Sequence, residues 1–523
     1  MRATAEHWWQ RAVVYQVYPR SYADSNADGV GDLAGLRARL DHLEWLGIDA
    51  VWLSPTFPSP DDDFGYDVAD YRDVHPLLGT LEGMDALIAD AGARGIRILL
   101  DLVPNHTSSQ HPWFLGEHRD WYVWADPAPD GGPPNNWKSV FGGSAWEWSE
   151  PDGRFYLHNF LPSMPDLDWW EPGVRAEFED LLRFWFDHGV AGFRIDVAHA
   201  LFHDRHLRDN PPATPEDTGA FARLGQRLER SINQPEVHDV YRRWRPLADS
   251  YGPPRVLLGE TYVMELEKLA SFYGNGHDEL HLAFNFSFLH ADLDAEVMRD
   301  CVERTEAALP DGAWPVWTGS NHDVHRFPSR WAGDDPDRAR CALTMLLTLR
   351  GTPVLYYGDE LLLPQVELPD EALRDPVAFS VGRENGRDGE RTPMPWSPEP
   401  GYGFTAPGVE PWLPFGDRAG RTVAEQRDDP GSPLHLARDL IALRRRRDDL
   451  VSGAYVSLPS PRDTWAWRRG EATVVALNLG ETAAELAVRG TVLVATNRAR
   501  DGERVDGSLR LGPGEAAVLD EDR

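Results

Sequence analysis

The chain is poor in cysteine, with two in 523 residues, Cys301 and Cys341. Two thiols in helix-like stretches make no disulfide framework, so the fold must rest on a buried core, and a reducing compartment fits. No run of about 18 apolar residues is present to span a bilayer. The opening Met1–Trp9 carries Arg2 but no apolar stretch behind it, so no secretory signal is read there and the cytoplasm is the expected location. Positive charge is also scarce: Lys and Arg total 52 against 85 Asp and Glu, a formal net charge of −33. Such a surface repels phosphate backbones and anionic lipid, which argues against nucleic-acid and membrane partners. There is no Gly-x-Ser-x-Gly elbow for a serine hydrolase. Nor does a Gly-rich phosphate loop follow any early strand, which disfavours a doubly wound nucleotide-binding sheet.

What is present is length, aromatic residues and a repeating order. Over 523 residues two or three domains are expected. The 21 tryptophans suit both a large core and stacking on sugar rings. Short apolar runs at Val13–Tyr18, Ala50–Leu53, Ile96–Val103, Gly192–Val197, Val256–Leu258, His281–Phe286, Pro315–Thr318 and Pro353–Tyr357 alternate with helix-like segments. In Gly173–Gly189 the apolar residues Val174, Phe178, Leu181, Leu182 and Trp185 share one helical face, and Arg338–Arg350 repeats that pattern. Nearly continuous apolar strands alternating with helices predict an α/β fold, a parallel (β/α)8 TIM barrel. Its parts are residues 1–103 and 173–450. A Pro-, Gly-, Asn- and Trp-rich insertion at 104–172 follows strand 3, a rim subdomain at 362–432 follows strand 8, and both belong on the C-terminal rim where barrel sites are built. A helix over Ser432–Leu450 precedes short β stretches, so 451–523 is expected to form an antiparallel C-terminal β-sandwich.

Ionisable residues collect at the ends of the strands. In Gly192-Phe193-Arg194-Ile195-Asp196-Val197, alternation puts Arg194 and Asp196 on the face opposite Phe193, Ile195 and Val197. Charges facing a barrel interior must be paired or functional. Glu260 follows Val256–Gly259 directly, His322 and Asp323 follow strand 7, and His106 follows strand 3. Carboxylates on one rim suit cleavage of a glycosidic bond through an oxocarbenium-like transition state, with one carboxyl protonating the leaving oxygen and one attacking the anomeric carbon. Arg194 is expected to keep Asp196 ionised, and crowding by other carboxylates is expected to raise Glu260.

The strand-end segments Asp101–His106, Gly192–Val197, Gly259–Thr261 and Asn321–Asp323 resemble the four short conserved regions of the α-amylase superfamily, glycoside hydrolase family 13. Over nearly the whole chain the resemblance is to its α-glucosidase and oligo-1,6-glucosidase branch, through Val14–Ser21, Asp63–Asp67, Met164–Leu167 and Arg391–Met394 as well. The resemblance implies a retaining exo-acting α-glucosidase that releases terminal glucose from maltose- or isomaltose-type substrates. It implies Asp196 as nucleophile, Glu260 as acid/base and Asp323 as a third, hydroxyl-binding carboxylate. His106, Arg194 and His322 would hold the sugar and the nucleophile, Tyr66 would stack on the ring, and Asp63 with Arg387 would grip the terminal 4-hydroxyl; Arg383 and Arg391 flank Arg387 as alternatives.

Asp24-Ser25-Asn26-Ala27-Asp28-Gly29-Val30-Gly31-Asp32 sets oxygen donors at alternate positions, as in the first half of an EF-hand loop, but Gly35 stands where that loop ends in Glu. Relatives imply a structural Ca²⁺ on Asp24, Asn26, Asp28, the Val30 carbonyl and Asp32, and no organic cofactor. A monomer or small homo-oligomer acting on small α-glucosides is expected. The alternatives are a glucosyltransferase or sucrose-active enzyme of the same fold and, from another class, a non-catalytic binding relative. Val197 resembles the α-1,6-cleaving members while Ala198-His199-Ala200 departs from their pattern, so both linkages stay open.

Overall fold

The structure is a computed structural model that describes residues 7–522 apart from 216 and 218. Eight parallel strands form its centre: β1 (Val14–Val17), β2 (Ala50–Leu53), β3 (Arg97–Leu102), β4 (Gly192–Ile195), β5 (Val256–Gly259), β6 (Leu282–Ala283), β7 (Val316–Thr318) and β8 (Thr352–Tyr356). Their order is β7-β8-β1-β2-β3-β4-β5-β6, and a parallel bridge between Phe284 and Val316 joins the two ends. The predicted barrel is therefore found, with strand 6 cut short. Asn285 ends it by turning its side chain to cap the helix Phe286–Leu289, accepting from the Phe288 N–H at 3.1 Å.

Alternation along the strands sorts the side chains into two cores. Val14, Ala50, Trp52, Leu99, Val256, Leu258, Leu282, Val316 and Val354 fill the barrel interior. Val51, Leu53, Ile98, Leu100, Phe193, Ile195 and Leu257 point outward into the layer beneath the helices. The helix Pro172–Asp187 presents the expected stripe, with Val174, Phe178, Leu181, Leu182 and Trp185 all buried. Among the described residues no helix is long and apolar enough to cross a membrane.

The segment after β3 carries a small antiparallel sheet of Trp124–Ala125, Arg154–Leu157 and Trp146–Ser149, with a core around Trp137 and Trp146. Bridges from His106 to Asp166 and from Tyr122 to Leu167 lay it against the end of β3. The helix expected over Ser432–Leu450 is two helices, Pro433–Arg446 and Asp448–Ser452. Arg447 between them is extended, and its side chain reaches Thr473 at 2.9 Å and Asp520 at 2.6 Å in the C-terminal sheet. That sheet has six strands, all antiparallel to their neighbours, in the order 455–458, 464–469, 473–478, 515–521, 490–495 and 504–505, beside a two-stranded sheet of Ala484–Leu486 and Leu509–Leu511. Cys301 and Cys341 are unpaired.

Trp185 is wholly buried and its indole N–H donates to the Tyr71 carbonyl at 2.8 Å, tying the α layer to the loop after β2. Trp185→Ala should cost about 3–5 kcal/mol through the cavity and the stranded carbonyl. Urea unfolding followed by fluorescence measures this, and a loss below about 1 kcal/mol would contradict the packing described.

Candidate active site

The inner stripe of the barrel is apolar low down and polar at the C-terminal end. Above Val14, Ala50 and Leu99 stand Gln16, Trp52 and Asp101, with Arg194 beside them on β4. Arg194 is 2% exposed and serves three carboxylates. Its Nη1 donates to Asp101 at 2.7 Å and to Asp196 at 2.8 Å, and its Nη2 lies 2.7 Å from Glu260. The Trp52 ring lies 5.0 Å from the guanidinium carbon, and the Trp52 N–H donates to Asp101 at 3.1 Å. Arg194 is thus a shared hub rather than the private partner of Asp196. The strand ends place the acids. Asp196 sits just past β4, and Val197 beyond it adopts φ +34°, a strained conformation for a β-branched residue. That turn aims the Val197 N–H at Glu260 Oε2, 2.9 Å away.

A second ionic group meets the first through His322. Gln16 donates its amide to His322 Nδ1 at 2.8 Å, which puts the ring proton on Nε2, 3.1 Å from Asp323. Tyr66 stacks on His322 with ring centres 5.3 Å apart, and its hydroxyl touches both His322 and Asp101. Asp323 also receives Arg387 at 3.0 Å and Arg391 at 2.9 Å. Arg387 in turn reaches Asp63 at 2.5 Å and Asp375 at 2.7 Å. Of the three arginines considered from sequence, Arg387 is the one on Asp63; Arg391 serves Asp323, and Arg383 pairs with Asp370. His106 is buried, 5.1 Å from Phe160 between ring centres and beside the Tyr66 backbone, and among the described residues its Nε2 makes no hydrogen bond of good geometry.

Asp63, Tyr66, His106, Arg194, Asp196, Glu260, His322, Asp323 and Arg387 therefore gather at one rim. Sequence reasoning missed Asp101, Gln16 and Asp375. The signal for the first two was a polar residue inside an apolar run, Ile98-Leu99-Leu100-Asp101-Leu102 and Val13-Val14-Tyr15-Gln16-Val17. Asp375 carried no such signal.

The charges are set by burial and pairing. Burial, then Glu260 and Asp101, push the Asp196 carboxyl up against the pull of Arg194, so the expected protection of its ionised form is only partial. Burial likewise takes Asp101 to about 6. Asp323 goes the other way: burial works against it, but His322, Arg387 and Arg391 hold it below the usual carboxylate range. Burial keeps His322 neutral and takes His106 down to about 3.

The loop at 24–32 is closed by its own polar groups. Asp24 accepts from the N–H groups of Asn26, Ala27 and Gly29, Asn26 from Asp28, and Asp28 from Val30. Asp32 caps the helix Leu33–Ala38 through the Gly35 N–H. An acidic group whose oxygens lie within 4.8 Å of one another is elsewhere, at Asp294, Glu296 and Asp463.

Behind the site, Glu390 is wholly buried, one oxygen accepting from Gln365 at 2.6 Å, and burial pushes it up to about 8. Burial also takes Asp166 and Asp359 to about 7. An acid raised in the folded state binds its proton better there, so its stabilisation is complete below the unfolded value near about 4 and fades as pH climbs through the folded value. Stability should therefore fall from about pH 5 up to about pH 8, where the last of these acids ionises in the folded state, and level off above it. Glu390→Gln should flatten that fall by up to about 1.4 kcal/mol per pH unit. Urea unfolding at several pH values tests it, and equal slopes for both proteins would refute it.

The sequence signature described as "Alpha amylase, catalytic domain" matches residues 16–453. The chain is 44% identical to a probable alpha-glucosidase of Rhizobium meliloti (strain 1021), over 85% of this chain and 84% of that one. It is 36% identical to an oligo-1,6-glucosidase of Heyndrickxia coagulans, over 91% and 92%. Its fold matches the crystal structure of an alpha-glucosyl transfer enzyme, XgtA, with a TM-score of 0.91 at 40% identity, covering 98% of this chain and 99% of that one. By its matched signature and these relatives, the chain belongs to the α-amylase family, glycoside hydrolase family 13.

Proposed function

We propose that this protein is a retaining, exo-acting α-glucosidase that releases terminal non-reducing glucose by double displacement. The observation that carries the reading is one buried guanidinium, Arg194, bridging the carboxyl groups of Asp196 and Glu260. Two carboxyl groups so close suit direct attack on the sugar more than the wider gap needed to seat a water between them. In this reading Asp196 attacks the anomeric carbon and Glu260 gives its proton to the leaving oxygen, then takes one from water. Asp101, Asp196 and Glu260 share one cation, and the reaction needs the proton on Glu260 and the charge on Asp196. Positive charge developing at the anomeric carbon favours the ionised Asp196 beside it.

Asp323, ionised by its three cationic or polar neighbours, binds sugar hydroxyls; Tyr66 supplies the stacking face; His106 Nε2, buried and without a well-formed hydrogen bond among the described residues, awaits a hydroxyl. Asp63 and Arg387 take the 4-hydroxyl and close the site beyond the terminal glucose. A share of transfer to sugar acceptors is supported by the likeness to XgtA and by the exposed Tyr262 and Met264 on the loop after Glu260. The two free cysteines support a cytoplasmic location. The residues at 24–32 support a structural Ca²⁺ on Asp24, Asn26, Asp28, the Val30 carbonyl and Asp32, aided by left-handed turns at Ala27 and Gly29.

Hydrolysis of maltose, isomaltose, sucrose and trehalose, with anomers followed by NMR, tests the reaction. The first product should be α-glucose, Asp196→Asn should be inactive, and Glu260→Gln should lose roughly 10²–10⁴-fold on these sugars. β-Glucose as first product, or full activity in Asp196→Asn, would refute the mechanism. For the metal, EDTA should lower the melting temperature and Ca²⁺ restore it, with Asp28→Ala unresponsive to either. An EDTA-insensitive wild type would dismiss the site.

A further inference from the structure

Arg387 has a third carboxylate partner, Asp375, to which the roles proposed above assign nothing. Asp375 caps the short helix Pro376–Ser380 in the segment after β8 and is wholly buried. Its Oδ2 accepts from Arg387 Nε at 3.0 Å and from the Arg387 backbone N–H at 2.6 Å, and its Oδ1 accepts from Nη2 at 2.7 Å. This side-on fork fixes the plane of the guanidinium. The other edge then has no choice of direction: Nη2 meets Asp63 at 2.5 Å and Nη1 meets Asp323 at 3.0 Å. Among the described residues the second Nη1 hydrogen has no acceptor.

The backbone is fastened at the same place. Asp388 accepts from the N–H groups of Arg374 at 2.7 Å and Asp375 at 2.9 Å. Residues 375 and 387 are thereby held together at the base of an excursion whose tip includes the exposed Phe379. An arginine on such an excursion would otherwise surrender side-chain freedom whenever it engaged a ligand. Asp375 removes that freedom beforehand.

We propose that Asp375 is a positioning residue that sets Arg387 for selection of the terminal sugar by its 4-hydroxyl. Buried behind the guanidinium, it acts through Arg387 and not on the sugar. The inference rests on the reading of Asp63 and Arg387 as a 4-hydroxyl clamp. The charge and both acceptor oxygens matter: an amide in place of the carboxylate turns an NH₂ towards the N–H groups of Arg387 and releases the fork.

The experiment compares p-nitrophenyl α-glucoside with its 4-deoxy analogue in the wild type, Arg387→Ala, Asp375→Asn, Asp375→Glu and Asp375→Asn/Arg387→Ala. Asp375→Asn should lower kcat/KM for the glucoside about 10-fold or more, chiefly by raising KM, and barely change it for the analogue. The ratio between the substrates should collapse in Asp375→Asn and recover in part in Asp375→Glu. In the double variant it should fall no further than in Arg387→Ala, because both act through one contact. If Arg387→Ala keeps the wild-type ratio, the clamp itself is wrong. If Arg387→Ala loses the ratio while Asp375→Asn keeps it and slows both substrates equally, Asp375 is only structural and the inference fails. Should Asp375→Asn not fold, Asp375→Glu decides: an intermediate ratio supports positioning and an unchanged one overturns it.

Discussion

The acids on β3, β4 and β5 depend on Arg194, a guanidinium buried inside the barrel and 2% exposed. Desolvating it is costly, and only the close placement of Asp101, Asp196 and Glu260 offsets that cost. The balance also runs the other way. Three carboxylates so near one another would repel without the cation, so the acids hold Arg194 charged against the effect of burial. Removing Arg194 would leave three carboxylates without their cation, a loss typically of about 3–5 kcal/mol. The strands supply this arrangement because β3, β4 and β5 are adjacent and in register, Asp101 opposite Arg194 and Arg194 opposite Leu258 two residues before Glu260.

The second ionic group obeys a different rule. Arg387 and Arg391 stand on a segment with little regular structure, so no strand register places them. Carboxylates do it instead: Asp63 from the loop after β2, Asp323 from the end of β7 and Asp375 from the excursion itself. His322 joins the two groups, since its neutral ring faces Asp323 on one side and stacks on Tyr66, which touches Asp101, on the other. A sugar seated between them meets an environment whose charges are already fixed, the condition under which electrostatic stabilisation of a transition state works best.

Much of this was legible before any coordinates. Apolar runs separated by amphipathic helices gave the barrel, because a parallel strand buried on both faces has to be apolar throughout. Resemblance then named the acids at the strand ends, and the structure gathers them at one rim. What escaped has physical reasons. Asp101 and Gln16 stood in plain view inside apolar runs, but a single polar residue in a strand does not disclose its partner. Asp375 sits in an irregular segment where neither periodicity nor alternation applies. The upward push on Asp196 depends on the sum of burial and two neighbouring acids, which no sequence spacing reports. The helix break at Arg447 came from a contact with Asp520, far along the chain.

The two sides of the scissile bond are built differently, and this separates what is fixed from what is open to change. The terminal sugar is to be held by side chains that are buried and ion-paired, so altering any of them disturbs charges that cannot be left alone. Beyond Glu260 the available side chains are Tyr262 and Met264, 46% and 47% exposed. Tyr262 lies against Phe286 and His290 yet stays half open, and neither side chain is tied into an ion pair. On the proposed function, the donor is specified by buried ion pairs and the acceptor, water or sugar, meets half-exposed side chains. Relatives named for hydrolysis and for glucosyl transfer on one scaffold are what such a division allows.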